Sequence, residues 1–187
     1  MKGPWIGRLL RNVHAGEAKL LSADPPIAAL PRTIALTSTV FADGGTIPRA
    51  HAGPGVGGNL SPPLQISAVP NGAVELVLTC EDPDAPLPRP FVHLLAYGLA
   101  PGASVLGPGA LNNGAGGVIF GQNTGGKAGY AGPRAIPGHG AHRYYFDVYA
   151  LSRASGLVGG AKLAEVRAVI AAHGLARGQL MGIFERT

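Results

Sequence analysis

The chain has 187 residues, 46% of them hydrophobic and 13% charged, so it can bury the core of a single domain and is too apolar for an intrinsically disordered protein. Its 30 glycines and 17 prolines are spread between apolar runs, which predicts short strands joined by many turns. The net charge of +5 favours anionic partners, but the basic residues are scattered and not interleaved with aromatic ones, so we do not expect nucleic-acid binding.

The single cysteine, Cys80, excludes an internal disulfide and a zinc site built from cysteine pairs. We expect it to be a buried, unreactive thiol at the end of a strand. Polar residues interrupt the N-terminal apolar stretch, as Arg8, Arg11 and Asn12 show, and no apolar run reaches the roughly 18 residues of a membrane span. The sequence therefore predicts a cytoplasmic protein.

Residues 4–21 predict a short amphipathic helix, because their apolar side chains recur on one stripe and Asp24-Pro25-Pro26 stops the pattern. Such a helix packs on its own domain or on a second subunit, which leaves a homodimer open. A basic amphipathic helix can also lie on an anionic membrane surface. We divide the chain into an N-terminal helical extension, residues 1–30, and a β domain, residues 31–187.

The first half of the β domain carries two strand signals separated by a long loop. Residues 33–40 are rich in β-branched side chains, and residues 42–63 form a Gly/Pro-rich loop of a length that often carries function. Residues 74–80 alternate in polarity, and Asp82 joins their apolar face if the strand continues. That face consists of Val74, Leu76, Leu78 and Cys80.

Two further strands and one helix are predicted in the second half. Residues 91–99 form a strand in which His93, Leu95, Tyr97 and Leu99 point one way, and residues 107–126 form a second Gly-rich loop. The strand with the clearest pattern spans residues 142–151, where His142 and Tyr144 share a face. A helix begins near Lys162 and ends at Gly174, and a short strand from Met181 to Phe184 closes the chain.

Polar, ionisable side chains stand at the ends of three of these strands. Asp82 is followed by the rigid turn Pro83-Asp84-Ala85-Pro86, which aims its carboxylate with little entropy to lose. His93 lies in an otherwise apolar strand, and the side chains of His142 and Tyr144 project to the same side. If the strands are neighbours, an acid, two imidazoles and a phenol meet in one site.

Protonated imidazoles and a phenol donor suit a phosphate or carboxylate ligand. Asp82 would then orient one imidazole, keep it protonated, or receive the amine of a zwitterionic headgroup. Taken singly, an Asp-Pro sequence is usually a turn and a lone strand histidine is usually a satisfied core residue. The same groups also allow a hydrolase, with His93 or His142 as general base and Asp82 orienting it.

Other chemistries find less support in the sequence. No Gly-x-Ser-x-Gly nucleophile motif occurs. The segment 121–128 approximates a phosphate-binding P-loop, but Ala128 replaces the required Ser or Thr and no helix follows, so we expect no nucleotide or other cofactor. A metal site would have to combine Asp82 and histidines whose spacing matches no compact ligand pattern, so none is predicted. Those histidines are His93, His139 and His142.

Taken in order, these motifs resemble the phosphatidylethanolamine-binding protein family, most of all its bacterial branch, often labelled Raf kinase inhibitor-like. Residues 59–64, Asn-Leu-Ser-Pro-Pro-Leu, are similar to the family's Asn-x-Ser-Pro-x-Leu signature. Residues 82–86 match its Asp-Pro-Asp-Ala-Pro motif, and His93 falls where the family has a pocket histidine. Residues 129–133 and 138–144 resemble the motif that completes the pocket. The resemblance spans roughly residues 33–186.

The resemblance implies a mostly β, α+β fold: a central antiparallel sheet, a smaller second sheet and C-terminal helices, with a solvent-accessible anion pocket. It places Asp82, His93, His142 and Tyr144 in that pocket and Asp84 and Pro86 at its rim. The chain departs from the family in the pocket wall. It has Ala135-Ile136 where Pro-Pro is usual, and Phe91 near the pocket histidine where Trp is common.

We therefore expect a non-catalytic binding protein that holds phosphate, phosphoethanolamine or a carboxylate. The resemblance adds a kinase or protease as a possible protein partner. The hydrolase is the alternative, and a third hypothesis is an interaction protein that acts through its N-terminal helix.

Overall fold

The computed structural model describes residues 4–102, 105–112 and 117–186 as two sheets with few helices. The larger sheet has six strands and is antiparallel except for one parallel pair at its edge. The smaller sheet has three strands and is antiparallel throughout. This confirms the predicted mostly β, α+β fold with a second, smaller sheet.

The strands are bounded as follows: β1 Ala35–Thr37, β2 Gly45–Thr46, β3 Leu64–Ser67, β4 Glu75–Asp82, β5 Phe91–Leu99, β6 Val105–Leu106, β7 Ile119–Phe120, β8 Ala141–Leu151 and β9 Gly174–Glu185. The order in the larger sheet is β2-β9-β8-β4-β5-β7, with β2 parallel to β9, and the order in the smaller sheet is β1-β3-β6. The α-helices are α1 Pro4–Leu10, α2 Pro25–Ala28 and α3 Leu163–His173, and 3₁₀ turns occupy Glu17–Lys19, Leu21–Ala23 and Arg49–His51. None of the described helices is both long and apolar enough to span a bilayer.

Both faces of the large sheet are covered, which is why all eight residues of β4 are buried. On one face, the small sheet contributes Leu36, Leu64 and Ile66 to the main core. On the other face, α3 and the N-terminal extension supply a second core that includes Ile27 and Ile170. Strands covered on both sides are apolar on both sides, so alternation in β4 is weaker than the sequence pattern suggested.

The prediction that His93, Leu95, Tyr97 and Leu99 share one face of β5 is wrong. Cys80 of β4 pairs with Leu94 but Glu81 pairs with Val92, so His93 is the extra residue of a bulge. The bulge places the His93 ring against Tyr144 on the main-core side, whereas Leu95 and Tyr97 pack in the second core with α3. Strict alternation cannot anticipate a bulge.

The predicted helix over residues 4–21 is also wrong, because α1 ends at Leu10. Beyond it the backbone N–H groups of Ala15 and Gly16 donate to the carbonyls of Ala85 and Pro83, at 3.0 and 2.9 Å. These contacts with the 82–86 turn replace helical hydrogen bonds. The extension is helical only in short pieces.

At the C-terminus, α3 ends at His173 and β9 starts at once, so the predicted short strand over 181–184 is a 12-residue strand paired along β8. Glycines made this strand hard to recognise. A Cβ at Gly178 would collide with the Ile34 carbonyl, and one at Gly182 would lie 2.5 Å from Ile47. Close approach of the chain therefore requires glycine at both positions. One C-terminal helix, α3, is present among the described residues.

Candidate functional site

A cavity of about 700 Å³ opens at the ends of β4, β5 and β8. Asp82, His93 and His142 reach it from these three strands. Loop residues build the rest of the wall, with a mixture of apolar, amide and cationic side chains. They include Leu10, Asn59, Ala85, Pro86, Leu87, Phe91, Asn112, Asn123, Lys127, Tyr130, Arg134, Ala135 and Ile136.

A chain of buried hydrogen bonds forms the floor of the cavity. Asp82 Oδ2 lies 2.7 Å from His142 Nδ1, and His142 Nε2 lies 2.8 Å from His139 Nδ1. His139 Nε2 in turn lies 3.3 Å from the carbonyl oxygen of Val13. The other carboxylate oxygen of Asp82 accepts the backbone N–H groups of Asp84 and Ala85.

The acceptors at the two ends of this chain fix where its hydrogens lie. The Val13 carbonyl only accepts, so Nε2 of His139 carries a hydrogen. Burial, reinforced by the neighbouring His142, lowers the pKa of His139, which keeps it neutral and leaves its Nδ1 as an acceptor. His142 therefore donates to His139 from Nε2 and to the Asp82 carboxylate from Nδ1.

His93 presents a different face to the cavity. Its Nδ1 donates to the Ala131 carbonyl at 2.5 Å, so Nε2 is the nitrogen available to a ligand. Burial lowers the pKa of His93, although Asp82 opposes the shift, so the ring is neutral without a ligand. Phe91 covers one side with its ring centroid 4.6 Å away, and Tyr144 packs edge-on at 5.1 Å.

Tyr144 lies beneath the cavity and does not line it. Its side chain is 1% exposed, and its hydroxyl is buried without a hydrogen-bond partner among the described residues. Burial, and then the charge of Asp82, raise the pKa of this phenol. Tyr144 therefore supports the ring of His93. The predicted direct contact between Tyr144 and a ligand would require the Tyr144 hydroxyl to become accessible from the cavity.

Asp84 is turned away from the cavity and holds the rim together. Its carboxylate accepts three hydrogen bonds from Arg143: from the backbone N–H at 2.9 Å, Nε at 2.8 Å and Nη2 at 2.6 Å. Burial raises the pKa of Asp84, but the hydrogen bonds from Arg143 outweigh burial and the pKa lies below its ordinary value. Arg143 also pairs with Glu17, which ties the N-terminal extension to this corner.

The Asn-x-Ser motif joins three loops around the cavity. The side chain of Asn59 accepts the N–H of Gly132 at 2.8 Å, and its carbonyl accepts Asn112 Nδ2 at 2.7 Å. Ser61 Oγ accepts the N–H of Leu111 at 3.0 Å. These residues hold the loops in place, which explains the motif in structural terms.

Of the predicted site residues, the structure brings Asp82, Pro86, Phe91, His93 and His142 together at the cavity, with Ala135 and Ile136 in its wall. Asp84 and Tyr144 are adjacent but not exposed to it. That any of them binds a ligand stays a prediction. Within residues 4–102, 105–112 and 117–186, no three His, Cys, Asp or Glu side chains converge as metal ligands.

Sequence reasoning missed the two cationic side chains of the wall, Lys127 and Arg134, and the apolar Leu10. Lys127 belongs to the segment dismissed as an incomplete P-loop, where its N–H and carbonyl both bond to Asn123. Arg134 lies next to Gly53, where a Cβ would be 2.6 Å from its Cγ. The available signal was a basic residue directly after the second Gly-rich loop, Lys127, and another directly after residues 129–133, Arg134.

Relatives were found in sequence and structure comparisons. One relative is LppC of Mycobacterium tuberculosis, whose name describes it as a lipoprotein. The two sequences are 39% identical over 161 residues, which cover 86% of this chain and 76% of LppC. The fold is similar to that of CT736, a phosphatidylethanolamine-binding protein homologue of Chlamydia trachomatis: the TM-score is 0.75 and the identity 34%, covering 83% of this chain and 99% of that one.

A second solved structure, Escherichia coli YbcL, described as a member of the mammalian family, gives a TM-score of 0.77 at 28% identity, with 83% and 99% coverage. The family model for the phosphatidylethanolamine-binding proteins matches residues 37–185, which include every strand that reaches the cavity. The chain belongs to the phosphatidylethanolamine-binding protein family.

Proposed function

We propose that this chain is a binding protein that holds a small anion in the cavity: inorganic phosphate, a phosphoethanolamine headgroup or a carboxylate. The observation that carries the proposal is the pairing of Asp82 with a doubly donating His142 at the floor, beneath Lys127 and Arg134 in the wall. The family is one of binding proteins, which agrees with this class of function.

The charges around the cavity favour an anion. Asp82 is hydrogen-bonded to His142, and Lys127 and Arg134 add two cationic side chains to the wall. The amide side chains of Asn112 and Asn123 add neutral donors. The apolar remainder, which includes Leu87, lowers the local dielectric and strengthens attraction to an anion.

The hydrogen-bond pattern argues for binding over hydrolysis. A general base must accept a proton, and His142 already donates from both nitrogens. His93 Nε2 could accept one, but among the described residues no nucleophile stands ready: the only cysteine, Cys80, is buried, and burial raises the pKa of its thiol. We therefore retain the hydrolase only as an outcome of the test.

The test is a titration with phosphate, phosphoethanolamine and acetate, followed by melting temperature and calorimetry. An anion at 100 times its Kd should stabilise the fold by about 2.7 kcal/mol, which for a chain of this size raises Tm by roughly 5–10 °C. Lys127→Gln and Arg134→Gln should each weaken binding several-fold, and both positions are exposed enough for the fold to survive. Arg153→Gln, an exposed cation beyond the far end of β8, is the matched control.

Three results would count against the proposal. The first is that no anion stabilises the fold. The second is that Arg153→Gln weakens binding as much as Arg134→Gln. The third is that the protein hydrolyses a phosphoester such as p-nitrophenyl phosphate and that His142→Ala abolishes this hydrolysis. The last result would establish the hydrolase instead.

The cytoplasmic location and the kinase or protease partner stay predictions, and fold alone does not establish either. Fractionation of cells expressing the full chain would test the location. Cross-linking in those cells would test the partner.

A further inference from the structure

The helix α1 has an inner and an outer face, and only the inner one is used by the fold. On the inner face, Gly7 packs so closely on residues 137–139 that a Cβ would lie 2.6 Å from the backbone nitrogen of His139. Leu10 contributes to the cavity wall. On the outer face, Trp5 and Leu9 are 65% and 76% exposed, one helical turn apart.

The outer face is also basic. Arg8 on α1 and Arg11 in the turn directly after it are exposed, and residues 4–16 contain no acidic side chain. The first acidic residue of the chain, Glu17, is already paired with Arg143. The exposed Trp5 and Leu9 therefore lie near two exposed arginines that have no acidic residue close to them in the sequence. This surface is both apolar and cationic.

This surface lies beside the mouth of the cavity. Leu10 of α1 and Leu87 of the adjoining loop both line the cavity, and Leu87 is itself partly exposed. The same loop adds the exposed Arg89, and Lys19 Nζ donates to the Pro88 carbonyl at 3.0 Å. Exposed apolar and cationic side chains are therefore present on the 87–89 loop as well as on α1.

From this arrangement we propose that α1 docks the protein on an anionic phospholipid bilayer, with Trp5 and Leu9 inserted at the interface and Arg8 and Arg11 on the lipid phosphates. A seven-residue helix is only about 10 Å long, which is small for a stable protein interface of roughly 800 Å² per partner. A bilayer needs only a few apolar anchors with nearby cations. Tryptophan is also suited to the headgroup region, because its ring is apolar with one polar edge.

The proposal stands apart from the anion-binding function, because Trp5 and Leu9 lie outside the cavity lining. It can hold if the cavity binds no anion, and it can fail while the cavity does.

Trp5 is the only tryptophan of the chain, so it reports on its own environment. We expect its emission to shift to the blue, and the full-length protein to co-sediment, with vesicles of phosphatidylcholine plus phosphatidylglycerol. Vesicles of phosphatidylcholine alone should bind far less, and added salt should release the protein. Each basic residue near an anionic surface changes partitioning about fivefold, so Arg8→Gln/Arg11→Gln should weaken it about 30-fold.

Leu9→Ala should weaken vesicle binding about tenfold, because part of a leucine side chain is no longer buried in lipid. Val158→Ala is the matched control: Val158 has the same exposed fraction, 76%, but lies on the segment leading into α3. The proposal is overturned if anionic vesicles leave the Trp5 emission unchanged, or if Val158→Ala lowers binding as much as Leu9→Ala. It is also overturned if a soluble acidic polypeptide shifts the emission and vesicles do not.

Discussion

The carboxyl group of Glu81 is buried on the face of the sheet opposite the cavity, beneath the N-terminal extension. Its Oε2 accepts the backbone N–H of Leu21 at 2.9 Å, while Oε1 has no hydrogen-bond partner among the described residues. Burial, with a further contribution from Asp147, raises the pKa of Glu81 from 4.5 to about 8, although the Leu21 bond opposes the shift. The protein therefore folds with Glu81 protonated near neutral pH.

A carboxyl whose pKa is raised by folding contributes most to stability below its unfolded pKa, and that contribution is lost as the pH rises to the folded value. Here the window runs from 4.5 to about 8. Each pH unit within it lowers the free energy of unfolding by about 1.4 kcal/mol, so at pH 7 the loss from Glu81 is about 3 kcal/mol. Glu81→Gln removes this dependence, and its amide oxygen can still accept the Leu21 N–H.

The assay is urea unfolding of wild type and Glu81→Gln between pH 6.5 and 8. Three other buried groups change protonation mostly below this window. The pKa values of His93 and His139 are lowered, and the pKa of Asp147 is raised to about 6. The free energy of unfolding of Glu81→Gln, relative to that of wild type, should therefore rise by about 1.5 kcal/mol from pH 6.5 to 8.

Glu75→Gln is the matched control for this measurement. Glu75 is also buried, but its two carboxylate oxygens accept N–H groups of Gly98 and Ser155 at 2.9 and 2.8 Å. Replacing Glu75 by Gln removes one of these two carboxylate acceptors and should lower the free energy of unfolding. A difference between Glu81→Gln and wild type that stays flat with pH would refute the reasoning.

Three further predictions concern the cavity and its rim. Gly7→Ala should displace α1, because the new Cβ collides with backbone, and trypsin should then cleave the extension faster. Gly102→Ala is the control: its Cβ would lie in open space, so the cleavage rate should not change. Anion binding should raise the pKa of the buried His93. Phosphate affinity should therefore increase from pH 8 to 6, and calorimetry should detect proton uptake on binding, which His93→Asn should abolish. Arg143→Lys loses the forked contact with Asp84 and should lower the free energy of unfolding by about 1 kcal/mol in a denaturant melt.

Much of the fold was accessible from sequence because strand patterns survive wherever one face is apolar. Strands β5 and β8 were predicted to within one residue, and the loop from 42 to 63 proved to contain only two short elements. The two-residue strands β2 and β7 could not be predicted, since they are defined by their partners β9 and β5. Pairing of this kind depends on tertiary contacts that a local pattern does not encode.

The site was predictable for residues at strand ends and not for those carried by loops. Asp82 and His142 meet because β4 and β8 are antiparallel neighbours, and the Asp-Pro turn fixes where the carboxylate points. Tyr144 was placed on the correct face, but its depth below the cavity depends on how far the loops cover it. Lys127 and Arg134 reach the wall through loop conformations that sequence spacing does not specify.

The N-terminal extension links the two proposals through the chain of hydrogen bonds at the cavity floor. The family model begins at residue 37, yet Leu10 lines the cavity and the Val13 carbonyl fixes the hydrogen on His139. Displacing α1 would open the apolar wall and also free His139 to turn, so that it no longer has to accept from His142. Because His139 accepts from His142, which is bonded to Asp82, the position of α1 affects the hydrogen bonds of the floor as well as the shape of the wall. Docking at a bilayer that displaces α1 would therefore change the affinity for an anion, and by thermodynamic reciprocity an anion in the cavity would then change vesicle binding by the same factor.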